Sequence, residues 1–321
     1  MLLLPLAIII LAGILSAKFK LVSKDIYVSL NRFIVYVSLP ALLISSLISI
    51  DSSQLAQFPQ FIVANTVALM TFGLLLFITL TFIIKDFRQF GAVYFSSMEG
   101  NTVYLGFPII LGLLGQVQLN YAVIYIATAG QIASLFNAFL ITTKKGNKLS
   151  FKGIFIDLLK NPFIVSTLIG LAVYLLIQIA RSTIPANYLY EISGISGAVS
   201  DAITKLGSIT SPLALFSLGI YMYSNFKMNT IKFSFLAALI KLIIMPLAVM
   251  IFVVYFFPLE KSAAQTSIVI SIVPTAVFAV MVSDIYGYDK NQTSNSLIVS
   301  SLLFLITLPA WLYVLQNFVL K

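Results

Sequence analysis

Gly100-Asn101-Thr102-Val103-Tyr104-Leu105-Gly106-Phe107-Pro108 lies in the middle of an apolar run from about Ala92 to Leu114. About 20 residues at ~1.5 Å each span the hydrocarbon of a bilayer, so the run is long enough to cross a membrane. Yet Glu99, Asn101, two glycines and a proline sit at its mid-depth. A freed backbone N–H or C=O in lipid costs several kcal/mol, so an interrupted helix is tolerated only where protein or water meets those groups. The run from Ala263 to Gly287 repeats the situation, with Pro274 inside Ser271-Ile272-Val273-Pro274-Thr275. Interrupted spans in matching positions of two halves point to a substrate site within a membrane.

The rest of the composition agrees with a membrane chain. Of 321 residues, 60% are apolar and 9% charged, against about 45–50% and 25% in soluble domains. The net charge of +9 is spread between apolar runs, which suits a topology signal and not a nucleic-acid footprint. The chain has no cysteine and no histidine. Disulfides, thiol chemistry, Ser/His or Cys/His catalysis, a haem histidine and a typical zinc site are thereby excluded. An enzyme is disfavoured, and no cofactor is implied.

Taken in order, the apolar runs are Met1–Ala17, Ile26–Ile48, Phe58–Ile84, 92–114, Leu119–Thr142, Pro162–Ala180, Tyr190–Tyr223, Ile231–Phe257, 263–287 and Ser294–Phe318. The first has no basic leader and no small-residue cleavage site, so it reads as a span and not a signal peptide. Tyr190–Tyr223 exceeds one span and is expected to begin with an outer amphipathic turn. The stretch 143–161, rich in lysine, reads as a basic cytoplasmic linker between a first five-helix repeat, 1–142, and a second, 162–321. Ser38-Leu39-Pro40-Ala41-Leu42-Leu43 has a counterpart in Thr210-Ser211-Pro212-Leu213-Ala214-Leu215. With five spans per half, the second half enters from the opposite side, so the expected fold is all-α: ten spans in two inverted repeats. Placing both termini outside puts fourteen of the 19 basic residues inside and three outside, with Lys205 and Lys241 within spans. That is a positive-inside bias.

Asn31-Arg32-Phe33 with Pro40, Asn101 to Pro108, Asn161-Pro162, Phe216-Ser217-Leu218-Gly219, Lys241 before Pro246, and Ile272-Val273-Pro274 carry a resemblance. In this order and spacing they resemble the auxin efflux carrier family, plant carriers with bacterial and archaeal relatives, over nearly the full length. The resemblance implies that spans 4 and 9 cross at their breaks. It also implies a dimerising scaffold of spans 1, 2, 6 and 7, a mobile transport domain of spans 3–5 and 8–10, and residence in the plasma membrane. Two departures stand out. Plant members have a long hydrophilic loop where this chain has only 143–161, and an acidic residue early in span 3 where this chain has Asn65.

The polar residues within spans supply the candidate site. A helix broken at Gly100–Asn101 and restarted near Pro108 presents a positive dipole end that attracts an anion. Pro274 is expected to restart span 9 in the same way. Gly100, Asn101, Thr102, Tyr104, Pro108, Pro274 and Thr275 are therefore the expected substrate contacts. The alternative for Asn101 is a cap on freed backbone groups. Lys241, mid-span, needs a partner. With Glu99 it is assigned to ion or proton coupling, the alternative being a permanent ion pair with Glu99 or Asp284. Asp284 itself reads as a solvated helix end. Asp201 and Lys205, four apart, are expected to pair with each other. Ser193-Gly194-Ile195-Ser196-Gly197-Ala198 suits close helix packing, and with the resemblance it suggests a homodimer embedded in lipid.

The expected activity is secondary transport of a small organic anion, a carboxylate, by an elevator-like slide. A cation–proton exchanger of related fold and a non-transporting receptor remain as alternatives. The topology is testable in a chain without cysteines. In Asn147→Cys, an impermeant thiol reagent should leave intact cells unlabelled and label inverted membranes; labelling from outside would reverse the topology.

Overall fold

A computed structural model describes residues 3–23, 26–50, 52–144, 162–183, 186–225 and 231–319; the side chains of 3, 52–53, 186–196, 281–282, 284–285 and 318–319 lie outside what it describes. Among the described residues the regular structure is helical, with one isolated bridge between Gly100 and Thr275. The helices are α1 (Leu3–Lys18), α2 (Ile26–Ile48), α3 (Phe58–Ile83), α4 (Phe87–Met98), α5 (Thr102–Leu113) and α6 (Gln116–Lys144). After the linker, of which 145–161 lie outside the described residues, come α7 (Pro162–Thr183), α8 (Ala186–Ser208) and α9 (Thr210–Asn225). The chain closes with α10 (Ile231–Phe256), α11 (Lys261–Ser271), α12 (Val277–Tyr286) and α13 (Lys290–Asn317).

Seven helical runs among the described residues are long and apolar enough to cross a membrane: α2, α3, α6, α7, Gly197–Asn225, α10 and α13. Helices α1 and α5 are apolar but shorter. The two runs expected to be interrupted do divide, into α4 with α5 and α11 with α12.

Three of the chain's ten acids cap helices. Asp86 accepts from the Gln89 N–H at 2.8 Å, Glu260 from Ala263 at 3.1 Å and Asp289 from Gln292 at 3.1 Å. Each meets an otherwise orphaned amide and the positive helix end. These caps start α4 at Phe87, five residues before the expected 92, and α11 at Lys261. The run Tyr190–Tyr223 departs from expectation. A full helix, α8, precedes α9, in place of a single amphipathic turn, and the two meet at Ile209. Pro212 has no N–H to give the Ser208 carbonyl, so the helix is interrupted there.

Four five-residue π segments follow one rule. Residues 34–38, 102–106, 240–244 and 252–256 are each closed by an i→i−5 bond from the next residue, and a proline comes immediately after. Proline cannot donate to the carbonyl four residues back and its ring crowds that carbonyl, so the preceding turn widens. In α10 the carbonyl that Pro246 leaves free, Leu242, is taken by the indole N–H of Trp311 at 2.7 Å.

The helices pack in two groups. Helix α1 lies along α9, α7 and α8 lie along α2, and α2 meets α9. In the other group α3 packs on α6, α6 on α11, α10 on α13, and α4 on both α10 and α13. Of the small-residue stretch Ser193–Ala198, the side chains of 193–196 lie outside the described residues, and within one copy a Cβ on Gly197 would meet nothing within 4 Å. Close backbone contact within the chain falls between α1 and α9. A Cβ on Gly13 would sit 2.1 Å from the Phe216 carbonyl oxygen, and one on Gly219 would sit 2.1 Å from that of Ile10. Small residues let the two backbones touch. Gly219→Ala should therefore cost about 1–3 kcal/mol by overpacking and lower the unfolding temperature of the purified protein. Gly197→Ala should not lower it.

Candidate functional site

Helix α4 ends at Met98, and Glu99 continues it in an extended conformation. Helix α11 ends at Ser271, and Ala276 leads into α12 from an extended conformation. The two interrupted stretches cross as a short antiparallel pair centred on Gly100 and Thr275. The Asn101 N–H donates to the Pro274 carbonyl at 2.8 Å, and the Ala276 N–H donates to the Glu99 carbonyl at 2.9 Å. Side chains tie the crossing to its surroundings. The Thr275 hydroxyl donates to the Ser96 carbonyl at 2.7 Å, and its N–H donates to Ser300 Oγ at 3.1 Å.

Two of the expected restarts shift. The chain turns helical again at Thr102, through a π turn in which the Asn101 carbonyl accepts from Leu105 and Gly106 at 3.1 and 3.2 Å. Pro108 thus lies inside the restarted helix and does not begin it. Pro274 lies in the extended stretch, three residues before α12, where its carbonyl serves the crossing.

Asn101 is buried at 4% exposure; its side chain caps no helix, and its amide nitrogen has no hydrogen-bond partner. The capping alternative is therefore not what the geometry shows. Thr102 is buried beside it, with its hydroxyl 3.5 Å from the Gly100 carbonyl. Tyr104 faces the other helix group and donates to Asn31 Oδ1 at 3.1 Å. Pro108 is not at the crossing with Asn101. It lines a cavity of about 270 Å³ with Leu42, Phe107, Leu111, Ser208 and Ser211, between the two helix groups.

Lys241 is fully buried in the π segment of α10. Its ammonium donates to the Ser271 carbonyl, at the last turn of α11, at 3.2 Å, and lies 3.2 Å from Met245 Sδ. A cation is favoured at a helix C-terminus, where carbonyls lack intrahelical donors. Gly100 makes room for it, since a Cβ there would stand 3.0 Å from Nζ. Glu99, half-buried, has its carboxylate hydrogen-bonded by Ser134 and lies within electrostatic range of Lys241. The two form no direct ion pair. The salt bridge that the described residues do make is the expected Asp201–Lys205, at 2.6 Å on an exposed face. Asn65 is a buried strut, with its amide donating to the Phe61 carbonyl and to Ser267 Oγ, both at 2.9 Å.

Sequence reasoning missed the partners of these groups. Ser96, Ser134, Ser300 and Trp311 carry no pattern that separates them from the chain's other hydroxyls and aromatics. Asn31 and Ser217 stood in quoted motifs but had no assigned role. Both serine and tyrosine hydroxyls meet at Asn31 Oδ1, Ser217 donating at 3.1 Å as Tyr104 does.

Comparison with known proteins gives two findings. A family model described as "Membrane transport protein" matches residues 1–312. An uncharacterized transporter of Methanocaldococcus jannaschii is 22% identical over 315 residues, covering 97% of this chain and 96% of that relative.

The crossing is testable through stability. Thr275→Val keeps the volume and deletes the donor to Ser96, leaving a buried carbonyl unmet. The expected loss is about 1–3 kcal/mol, read as a lower unfolding temperature. Ser300→Ala, which orphans the Thr275 N–H, should fall by a similar amount. An unchanged midpoint in both would remove Thr275 from the crossing.

Proposed function

The chain belongs to this family of membrane transport proteins, that of the auxin efflux carriers, and we propose that it is a secondary transporter of a small organic anion, a carboxylate. The observation that carries the reading is the Asn101 amide nitrogen, buried at the crossing without a partner. Two helices, α5 and α12, begin within a few residues of it. Helix starts carry unmet N–H groups and a positive dipole end, and with an amide donor between them they suit a carboxylate. Gly100, Thr102, Pro274 and Thr275 shape that point, while Tyr104 and Pro108 line the way to it along the interface of the two helix groups.

The packing supports an elevator-type slide. Helices α1, α2, α7, α8 and α9 form a scaffold that pairs two copies of the chain, and α3–α6 with α10–α13 form the moving body. The two interrupted spans hold matching places in two inverted five-span repeats. Lys241 and Glu99 supply the coupling. A cation–proton exchanger is favoured by one observation only, that these two opposite charges stand near the crossing without an ion pair between them.

Purified protein in proteoliposomes decides between the readings. A panel of carboxylates is first screened by thermal stabilisation, since a ligand that binds the folded state raises its melting temperature. Uptake of the best ligand is then measured. Asn101→Ala should fold normally, because the amide nitrogen gives up no bond, and should bind the carboxylate more weakly by about 1–3 kcal/mol. Carboxylate affinity unchanged in Asn101→Ala, or cation flux with no carboxylate flux, would overturn the proposal.

A further inference from the structure

The interface between the two helix groups is closed at one level and open at another. At one level, α2 and α9 each present two polar side chains four residues apart, on one face: Tyr27 and Asn31, Ser217 and Tyr221. The Tyr27 and Tyr221 rings meet edge to face at 5.3 Å. From this cluster two bonds cross to the other group. Tyr104, on the π turn after the crossing, donates to Asn31 Oδ1 at 3.1 Å, and the Tyr221 hydroxyl pairs with Ser294 Oγ, on α13, at 2.6 Å. Tyr221 and Ser294 are both buried.

At the other level lies the cavity of about 270 Å³. Its wall uses the same helices farther along: Leu42 on α2, Ser211 on α9, Leu111 on α5. At ~1.5 Å per residue, Leu42 is ~16 Å beyond Asn31, Ser211 is ~15 Å from Tyr221, and Leu111 is ~10 Å beyond Tyr104. The interface is thus closed by side-chain hydrogen bonds toward the start of α2 and the end of α9, and holds the cavity toward the opposite end, beside the packing of α2 and α7 on the start of α6.

We infer that Tyr104–Asn31–Ser217 and Tyr221–Ser294 form a latch that closes the side of the interface bearing the Lys144 end of α6. It must break for the carrier to open there. Side-chain hydroxyl bonds suit this role, because each contributes little net stability and is replaced by water when the side opens. The inference rests on the alternating-access reading above.

The test uses single cysteines in this cysteine-free chain. Ser38 is fully buried on α2 between Asn31 and Leu42, and Ser211 lines the cavity. Ser38→Cys and Ser211→Cys proteins are reconstituted, and an impermeant thiol reagent is applied to either face. Adding Tyr104→Phe or Tyr221→Phe should raise Ser38→Cys labelling from the Lys144 face by roughly fivefold per lost bond. Ser211→Cys labelling from the opposite face should fall. Ser294→Ala removes a partner and leaves the tyrosine ring in place, so it should reproduce Tyr221→Phe. A packing role of the ring would not. Unchanged labelling, or a rise at both positions together, overturns the latch. Carboxylate uptake by the unsubstituted protein is measured in the same vesicles: uptake without a labelling change sinks the latch alone. Reciprocal labelling without uptake of any carboxylate in the panel upholds the latch and sinks the substrate proposal.

Discussion

Two interrupted helices within a bilayer are each intolerable alone and stable together. Where α4 stops, the Glu99 carbonyl and Asn101 N–H lose their helical partners; where α11 stops, the Pro274 carbonyl and Ala276 N–H lose theirs. The crossing pairs these four groups with one another, at 2.8 and 2.9 Å. Since each unmet group in hydrocarbon costs several kcal/mol, each break is permitted by the other. The same economy places the surrounding hydroxyls. Thr275 faces Ser96 and Ser300 because the crossing leaves further donors and acceptors than two backbone bonds consume.

A second constraint propagates from proline. A proline removes a donor from the helix ladder, and ahead of Pro40, Pro108, Pro246 and Pro258 the chain answers by widening the turn. In α10 that answer shapes the site, since Lys241 stands in the widened segment before Pro246 and reaches the end of α11. The carbonyl freed by Pro246 is met by the indole of Trp311, so α13 is pinned to α10 at the level where Lys241 is buried. A lysine held by a helix C-terminus and a thioether, with a carboxylate nearby but not in contact, is charge-compensated without being locked into one ion pair.

Much of this was legible in the sequence because the signals were violations. Glycine, asparagine and proline inside an apolar run mark a break, and the recurrence at 263–287 marks its partner. The boundaries of most spans follow from the apolar runs to within a few residues, as does the exposed Asp201–Lys205 pair from its spacing. What the sequence could not carry is where a broken helix resumes. That depends on which backbone groups find partners across the crossing, a contact between residues some 170 positions apart. Pro108 and Pro274 read alike as restart signals, yet one sits within a helix already begun and the other in the extended stretch. Tyr190–Tyr223 was misjudged for a related reason: whether a long helical run stays one helix turns on Pro212 and the packing of α8 along α2. The close glycine contacts were hidden too, since a glycine's neighbour is a property of the partner helix.

The strengths of the contacts divide along the same line as the helix groups. The crossing lies inside one group and is made of buried backbone bonds with side-chain supports, so any movement that broke it would expose several unmet groups to lipid at once. The contacts between groups are of another kind: a tyrosine–asparagine bond, a tyrosine–serine bond and, farther along, a hollow lined mainly by apolar side chains. Loss of such hydroxyl bonds to water costs little, whereas loss of the crossing has no replacement. A body that moves as a unit must be held more tightly within itself than to its neighbour. The distribution of hydrogen bonds here meets that condition, as the proposed slide requires: in that proposal the crossing moves as one piece and Tyr104–Asn31 is among the bonds it releases.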